Sequence, residues 1–570
     1  MRVGSRSRIM TQTPHPNLLP SGQGRGGSKH SGHLHATSKR SLDARDLGHL
    51  SKMLLLMWIL AVASRLILIN QPYVDHWSWR QSDVAAIARN FSEGSFLFAY
   101  PQIDWAGDAT GYVGTEFPIL PFLAALCYKI VGSREWIGRS QAVIFFAVSL
   151  PFFFLLVREV FSGTAAVWAT FFFSFAPLNI FAGRSFMPDV PSLSLAIIGL
   201  YFFLRSASNG RRLLFFLAAI AISLSLLIKI TGIIIFAPLV YLAVAAVYDR
   251  RRNKEHRFPK LGVRSGERPS LDNGAHRAPL QMMALFLAIA LLPSAAWYWH
   301  AHQMAEKFYP YHFFGAGGIR IENSSWYWHI ARQTATSSLT PILSIMAVVG
   351  LFVAPRLQRC STAGRPRSRH PRLFHWWLAA MILFIVIVGY GNRHRWYQLP
   401  LVPITAAFAG AACAFVGSKI ASTRVAAVTL SILLAGSFAL LAYVFVQPLY
   451  EPSAAQLRDA GLEMNRITAP DALIVAADMG DPTIFYYAQR KGWHFLEKDA
   501  IYAGNPSDSQ EAIADLEQLR RRGATHFVFT TNTFWWLDYY PEFAQHLSEN
   551  AKLMEATPEF RIYKLAGGIR

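Results

Sequence analysis

DHWSWRQSDVAAIARNFSEGSFLFAYPQIDWAGDATGYVGTEFP, residues Asp75–Pro118, follows the first long apolar run of the chain and decides how the rest is read. It is too polar for a membrane span and too long for an ordinary connection. Val84, Ile87, Ala88 and Phe91 recur at i, i+3, i+4 and i+7, which predicts an amphipathic helix lying on a membrane surface. Asp83 stands at the start of that helix, close to Arg80, and Asp104, Asp108 and Glu116 follow. A carboxylate held at a bilayer surface beside a lipid-facing helix is where chemistry is expected.

Outward from this stretch the chain is apolar. Of its 570 residues 53% are hydrophobic and only 16% charged. Apolar runs at Met53–Asn70 and at 140–157, 164–182, 190–205, 213–228, 231–248, 280–299, 337–354, 374–390, 399–417 and 425–446 approach the roughly 20 residues a bilayer requires. The expectation is a polytopic α-helical membrane protein with about eleven spans, packed helix on helix. The run Phe117–Gly132, with its prolines, is shorter. If it stays on the outer face as a surface helix, the basic tail and the basic loops Asp249–Pro279, Arg356–Leu373 and Lys419–Arg424 share the inner side. That places residues 71–139 and everything after 446 outside.

The net charge of +21 therefore marks orientation and contact with anionic lipid, with no nucleic-acid partner implied. Residues 1–50, rich in Gly, Ser, His and Arg, are expected to be a disordered cytoplasmic tail. Ala61-Val62-Ala63 resembles a signal-peptidase site, but the apolar run continues beyond it and is read as a retained span. Cys127, Cys360 and Cys413 lie far apart and give neither a disulfide framework nor metal spacing.

Several polar groups stand out. Asp83 suits a general base or metal ligand, with a helix cap as the lesser alternative. Glu116, with Asp104 and Asp108 nearby in sequence, suits a divalent-cation site or an exposed loop. Arg184 and Asp189 lie in GRSFMPDVP between two spans, where charge is expensive. Lys229 interrupts an apolar run and would suit a lipid phosphate. GNRHRWYQLP packs Arg393, His394, Arg395 and Tyr397 into one hinge, and arginine forks match phosphate oxygens. His312, among aromatics, is a possible metal ligand. After about residue 447, helical and strand-like runs alternate: Ser453–Ile467, 472–477, Pro482–Arg490, 493–496, Ser509–Arg522 and 525–530. They predict a small extracytoplasmic α/β domain without a nucleotide-binding loop.

HWSWRQSDVAAIARNF, GTEFPILPFLAALCYKIVGSREWIGR, GRSFMPDVP and RWYQLPLVP together resemble the bacterial relatives of protein O-mannosyltransferases and of the lipid A aminoarabinose transferases (glycosyltransferase families 39 and 83). These are GT-C-fold enzymes that use polyprenyl-phosphate sugars. The matches run in order through residues 53–446, and the tail resembles theirs too. The resemblance implies a bacterial inner-membrane glycosyltransferase with Asp83 catalytic. Glu116 takes the place of the acidic residue before the third surface helix, Asp189 that of the Asp after the third span, and Tyr397 that of the tyrosine before the Leu-Pro step. Val84 stands where the family often carries a second carboxylate, and Phe117 where the lipid A transferases carry a lysine; the latter argues against that acceptor.

The implied reaction is one displacement at an anomeric carbon. Asp83 takes the acceptor's proton, and Arg80, Arg184, Lys229, Arg393, His394, Arg395 and Tyr397 hold the donor phosphate. The divalent-cation site would be Glu116 with His312, and no nucleotide is needed. A flippase or transporter, or a ligase of lipid-linked glycans, is the alternative; transport would predict internal repeats, and none is visible.

Overall fold

The computed structural model describes residues 44–245, 273–314, 318–357, 370, 372–420, 423–498 and 501–566. The expected tail therefore lies outside the described residues up to residue 43, as do the basic loops at 246–272 and 358–369. Residues Met1–Lys52 form one unit and Met53–Arg570 another. Of the first unit only the start of α1 (Ala44–Leu66) is described.

The helices then run α2 (Ser78–Glu93), α3 (Ile119–Val131), α4 (Glu135–Val160), α5 (Gly163–Phe175), α6 (Pro177–Ala182), α7 (Asp189–Asn209), α8 (Arg212–Ile228) and α9 (Ile230–Ala245). They continue with α10 (Asn273–Lys307), α11 (Ser324–Gln333), α12 (Pro341–Leu357), α13 (Leu373–Ile387), α14 (Leu401–Ile420) and α15 (Arg424–Val446). Each expected apolar run coincides with a helix. Among the described residues five are long and apolar enough to cross a membrane, and a sixth span results if the pair around α11 and α12, bent by 109°, is counted as one. The run at Met53–Asn70 falls mostly in α1, the run at 164–182 is divided between α5 and α6, and the others not counted as spans form shorter apolar helices. Exposed Leu, Ile and Val on α4 and α15, such as Ile144, Val148, Leu433 and Leu440, make the outward faces apolar, as lipid contact requires. Inside, α7 packs on α8 and α14 on both α5 and α12. Gly350 permits the closest of these approaches: a Cβ there would sit 1.8 Å from the Phe408 carbonyl oxygen.

The C-terminal part comprises α16 (Ala455–Ile467), β1 (Leu473–Ala477), α17 (Thr483–Ala488), β2 (Gly492–His494), β3 (Glu497–Lys498), β4 (Ile501–Tyr502), α18 (Ser509–Arg521), β5 (Ala524–Thr530), α19 (Trp535–Tyr539), α20 (Pro541–Asn550), β6 (Ala551–Ala556) and β7 (Phe560–Leu565). Its five-stranded sheet runs β2-β1-β5-β7-β6, with β1 parallel to both neighbours and β7 antiparallel to both of its own. The expected helices and the first three strand runs are present; the β6–β7 hairpin is additional.

One expectation about the first long loop changes. Helix α2 does not lie on lipid. Its stripe residues are buried, Ala88 wholly, because α3 covers one side and α17 another. Ile87 and Phe91 share a core with Ile103, Leu457, Ile484 and Phe485, so the loop and the α/β part are packed as one body. The amphipathic stripe is a protein-facing one. The loop also caps the sheet edge: Gly107 N–H donates to the Gly492 carbonyl at 2.7 Å and Gly492 N–H to that of Asp104 at 3.0 Å. Gly107 is required there, with φ of +57° and the Trp493 indole where a Cβ would stand.

Candidate active site

A cavity of about 660 Å³ opens between one end of the membrane helices and the α/β part. Helix α2 supplies Ser78, Trp79, Arg80 and Asp83 to it. Arg80 and Asp83 are three residues apart, so one helical face carries both a guanidinium and a carboxylate. The helix begins at Ser78, which puts Asp83 beyond its first turn and excludes the capping role. Asp83 Oδ1 accepts from Trp105 Nε1 at 2.9 Å, and among the described residues nothing donates to Oδ2. Burial raises the Asp83 carboxyl to about 6, against the pull of Arg80 and of the Trp105 hydrogen bond.

The membrane-side wall is basic. Arg80 Nη2 donates to both Glu116 oxygens at 2.8 Å, while its Nη1 is buried with no hydrogen-bond partner. Burial alone would raise Glu116, but Arg80 and Lys229 hold it down at about 2. Lys229 Nζ pairs with Asp189 Oδ1 at 2.8 Å and lies 5.2 Å from the Tyr397 ring centre. The break in helical geometry between α8 and α9 brings Lys229 to the cavity. Arg393 is the exposed member of the wall: it lies over the Tyr390 ring at 4.0 Å, its Nε donates to His394 Nε2 at 3.0 Å, and no carboxylate pairs with it among the described residues. His394 stacks on Trp396 with ring centres 4.5 Å apart. Burial, then Arg393, Lys229 and Arg80, lower it to about 3, so it is a neutral acceptor and adds no charge for a phosphate.

The opposite wall comes from residues that sequence reasoning missed. Asp478, Asp481 and His494 line the cavity from the ends of β1 and β2. Asp481 accepts from Ser78 Oγ at 2.6 Å, joining this wall to α2. Both Asp478 oxygens, 2.9 and 2.8 Å away, meet His494 Nδ1. A signal was present: the acidic turn DMGDP follows a buried strand run, and ligands gather at the carboxyl ends of parallel strands.

Other expected site residues lie elsewhere. Arg184 is fully buried away from the cavity, donating to Asp75 Oδ2 at 2.6 Å and to the Leu68 carbonyl. Arg395 does not line the cavity either. Asp189 reaches the site only behind Lys229. Asp104 pairs with Arg89 and Asp108 with Arg522, so neither joins Glu116. His312 does line the cavity, but it sits between the rings of Trp105 and Phe314, where burial and then Arg80 lower it to about 4. The Arg80 guanidinium occupies the place a cation would take on Glu116, and among the described residues no three His, Cys, Asp or Glu side chains converge. The arrangement does not fit the expected Glu116–His312 cation site.

The fold is that of solved membrane proteins. The chain superposes on ArnT from Cupriavidus metallidurans in the apo state with a TM-score of 0.61 at 15% identity, covering 91% of this chain and 100% of that one. The undecaprenyl phosphate-bound structure of the same protein gives 0.56 at 14% identity, over 91% and 99%. The apo oligosaccharyltransferase of Archaeoglobus fulgidus gives 0.51 at 14%, over 90% and 74%. These likenesses define the class: a helical membrane protein of the GT-C fold with a C-terminal α/β part. More narrowly, residues 115–264 match the family described as dolichyl-phosphate-mannose-protein mannosyltransferase, and that stretch contains Glu116, Asp189 and Lys229. No curated protein matches the chain by sequence.

Proposed function

We propose that the chain is an integral-membrane glycosyltransferase. It moves a sugar from a polyprenyl-phosphate donor to a hydroxyl of a protein, lipid or glycan at the outer face of a bacterial inner membrane, with about eleven spans and the N-terminus inside. The observation that carries this is the cavity itself: among the described residues, a carboxylate with an unengaged oxygen and a pKa near 6 shares it with Arg393, which has no carboxylate partner.

The acceptor oxygen forms a bond to the anomeric carbon while the carbon–oxygen bond to phosphate breaks. Asp83 receives the proton, a task for which a pKa near neutrality suits it. The electron pair leaves with the phosphate, and Arg393, Arg80 Nη1 and Lys229 offset the developing charge. No step is routed through a divalent cation.

The relatives support the donor class: one was solved with undecaprenyl phosphate, and the matched family is described by dolichyl-phosphate-mannose. An apolar groove of about 320 Å³, lined by Ile330, Leu351, Ile382 and Phe408, suits a prenyl chain. It adjoins the cavity through α11, where Tyr327 lines the groove and neighbouring Trp326 stacks on cavity-lining Tyr390. The test is a deletion strain whose lipid extracts are searched by mass. A prenyl-phosphate sugar should accumulate while one glycan, lipid or protein loses that sugar. Extracts with every prenyl-phosphate species at its wild-type level would overturn the proposal.

A further inference from the structure

Resting on that functional reading, we infer that the α/β part supplies the acceptor subsite, with His494 Nε2, oriented by Asp478, hydrogen-bonding a hydroxyl of a polyhydroxylated acceptor next to Asp83. Two features of the cavity lead there. Its charges are unevenly placed: Lys229 and Arg393 come from the membrane helices and the hinge, Arg80 comes from the first long loop paired with Glu116, and Asp478 and Asp481 come from the α/β part. A phosphate is drawn to Lys229 and Arg393 and repelled by Asp478 and Asp481. A direct displacement also places the nucleophile on the face of the anomeric carbon opposite the leaving oxygen. With the phosphate at the basic wall, the attacking hydroxyl arrives from the acidic one.

His494 is built for this position. It is 5% exposed and lines the cavity, and Asp478, itself 3% exposed, holds Nδ1 with both oxygens. That contact fixes the tautomer and the ring plane, and leaves Nε2 without a hydrogen bond among the described residues. The ring centre is 5.2 Å from that of Trp105, whose Nε1 donates to Asp83, so histidine and proposed base flank one indole. Burial works against the charged imidazolium, but Asp478, then Asp83 and Asp481, raise it above its ordinary value. In the reaction the oxygen–carbon bond forms, the carbon–phosphate-oxygen bond breaks with its electrons going to phosphate, and the proton goes to Asp83. His494 exchanges no proton; it binds and orients. Asp478 is a positioning residue.

The experiment uses the full-length protein in detergent. The prenyl-phosphate sugar accumulated by the deletion strain serves as donor, and solvent-extracted envelope from that strain as acceptor. At limiting acceptor, His494→Ala and Asp478→Asn should lower transfer about 10- to 100-fold, the loss expected when one buried hydrogen bond to the acceptor is removed. Rate should recover as envelope is added, and the affinity for undecaprenyl phosphate should stay within about twofold of wild type. His494→Gln, which keeps a polar atom, should lose less, and it carries the test if the alanine variant does not fold. Unchanged transfer in both His494 variants overturns the inference. So does a deficit that ignores acceptor concentration, or one accompanied by lost undecaprenyl phosphate binding, which moves the pair to the donor side. If no prenyl-phosphate sugar accumulates in the deletion strain, the functional reading fails and this inference with it.

Discussion

Asp75, just before α2, and Asp83, within it, are both buried, yet their surroundings are opposite. Every lone pair of Asp75 is in use: Oδ1 accepts from Gln81 Nε2 at 2.7 Å and from the Trp77 N–H at 3.3 Å, and Oδ2 accepts from Arg139 at 3.0 Å and Arg184 at 2.6 Å. Those arginines also cap the carbonyls of residues 67–72, so the cluster ties the outer end of α1 to α4 and to the turn before α7. It lines no cavity. Among the described residues Asp83 has one hydrogen bond and no ion pair, and it lines the cavity. A saturated buried charge holds structure together; an unsaturated one facing space is available to a substrate.

The comparison breaks most visibly at Asp83. Asp83→Asn keeps shape and the Trp105 hydrogen bond but cannot take a proton, so turnover should fall about 10²- to 10⁴-fold in a folded protein that still binds undecaprenyl phosphate. Near wild-type turnover would move the base elsewhere. The equivalent change at Asp75 should act on the fold instead. Asp75→Ala strands two buried guanidinium groups, which costs about 3–5 kcal/mol, and should show as a lower melting temperature or loss of the detergent-soluble species. A stable but inactive Asp75 variant would erase the distinction drawn here.

Acid titration sharpens it further. The Asp83 carboxyl is raised to about 6 in the folded chain, above the ordinary carboxylate range. A raised carboxylate favours the fold while protonated, and that contribution disappears as pH rises through 6. Ionised Asp83 therefore costs stability on the order of 3 kcal/mol at pH 8. Asp83→Asn should melt above wild type at pH 8, and the gap should shrink to about half by pH 5 and close only near pH 4, where the carboxyl is protonated in both states. Activity runs the other way, since the base must be ionised: wild-type kcat should decline below about pH 6. A stability gap equal at pH 8 and pH 4 would remove the buried charge as its cause.

Much of this was legible in the sequence, because the signals were local. The apolar runs fell on helices, the α/β alternation gave β1, β2 and β5, and RQSD and GNRHRWYQLP delivered Arg80, Asp83, Arg393 and Tyr397 to one cavity. What escaped depended on partners far along the chain. The stripe on α2 is as amphipathic as a lipid-facing helix would be; only α17 and α3 closing over it make it a core helix. Arg184 fails as a donor-phosphate ligand because its partner, Asp75, lies 109 residues earlier and holds it away from the cavity. His494 had no motif of its own, and gains a role only because the sheet edge docks against the first loop. Glu116 carries the charge a metal ligand needs, and Arg80 on α2 takes both its oxygens.

The hinge between α13 and α14 holds the smallest and most local contrast, between two arginines one residue from each other's neighbour. Arg393 and Arg395 look equivalent in sequence as a phosphate clamp. In the structure Arg393 lines the cavity over Tyr390, whereas Arg395 does not line it and makes no ion pair among the described residues. A charge-assisted bond to phosphate is worth about 1.5–3 kcal/mol, so Arg393→Ala should weaken undecaprenyl phosphate binding by about tenfold or more. Arg395→Ala should leave it within about twofold, since a half-buried cation outside the site contributes only screened attraction. Titrating each purified variant with undecaprenyl phosphate by intrinsic tryptophan fluorescence reads both directly. Equal losses would restore the two-arginine clamp; a larger loss at Arg395 would mean that the phosphate sits outside this cavity.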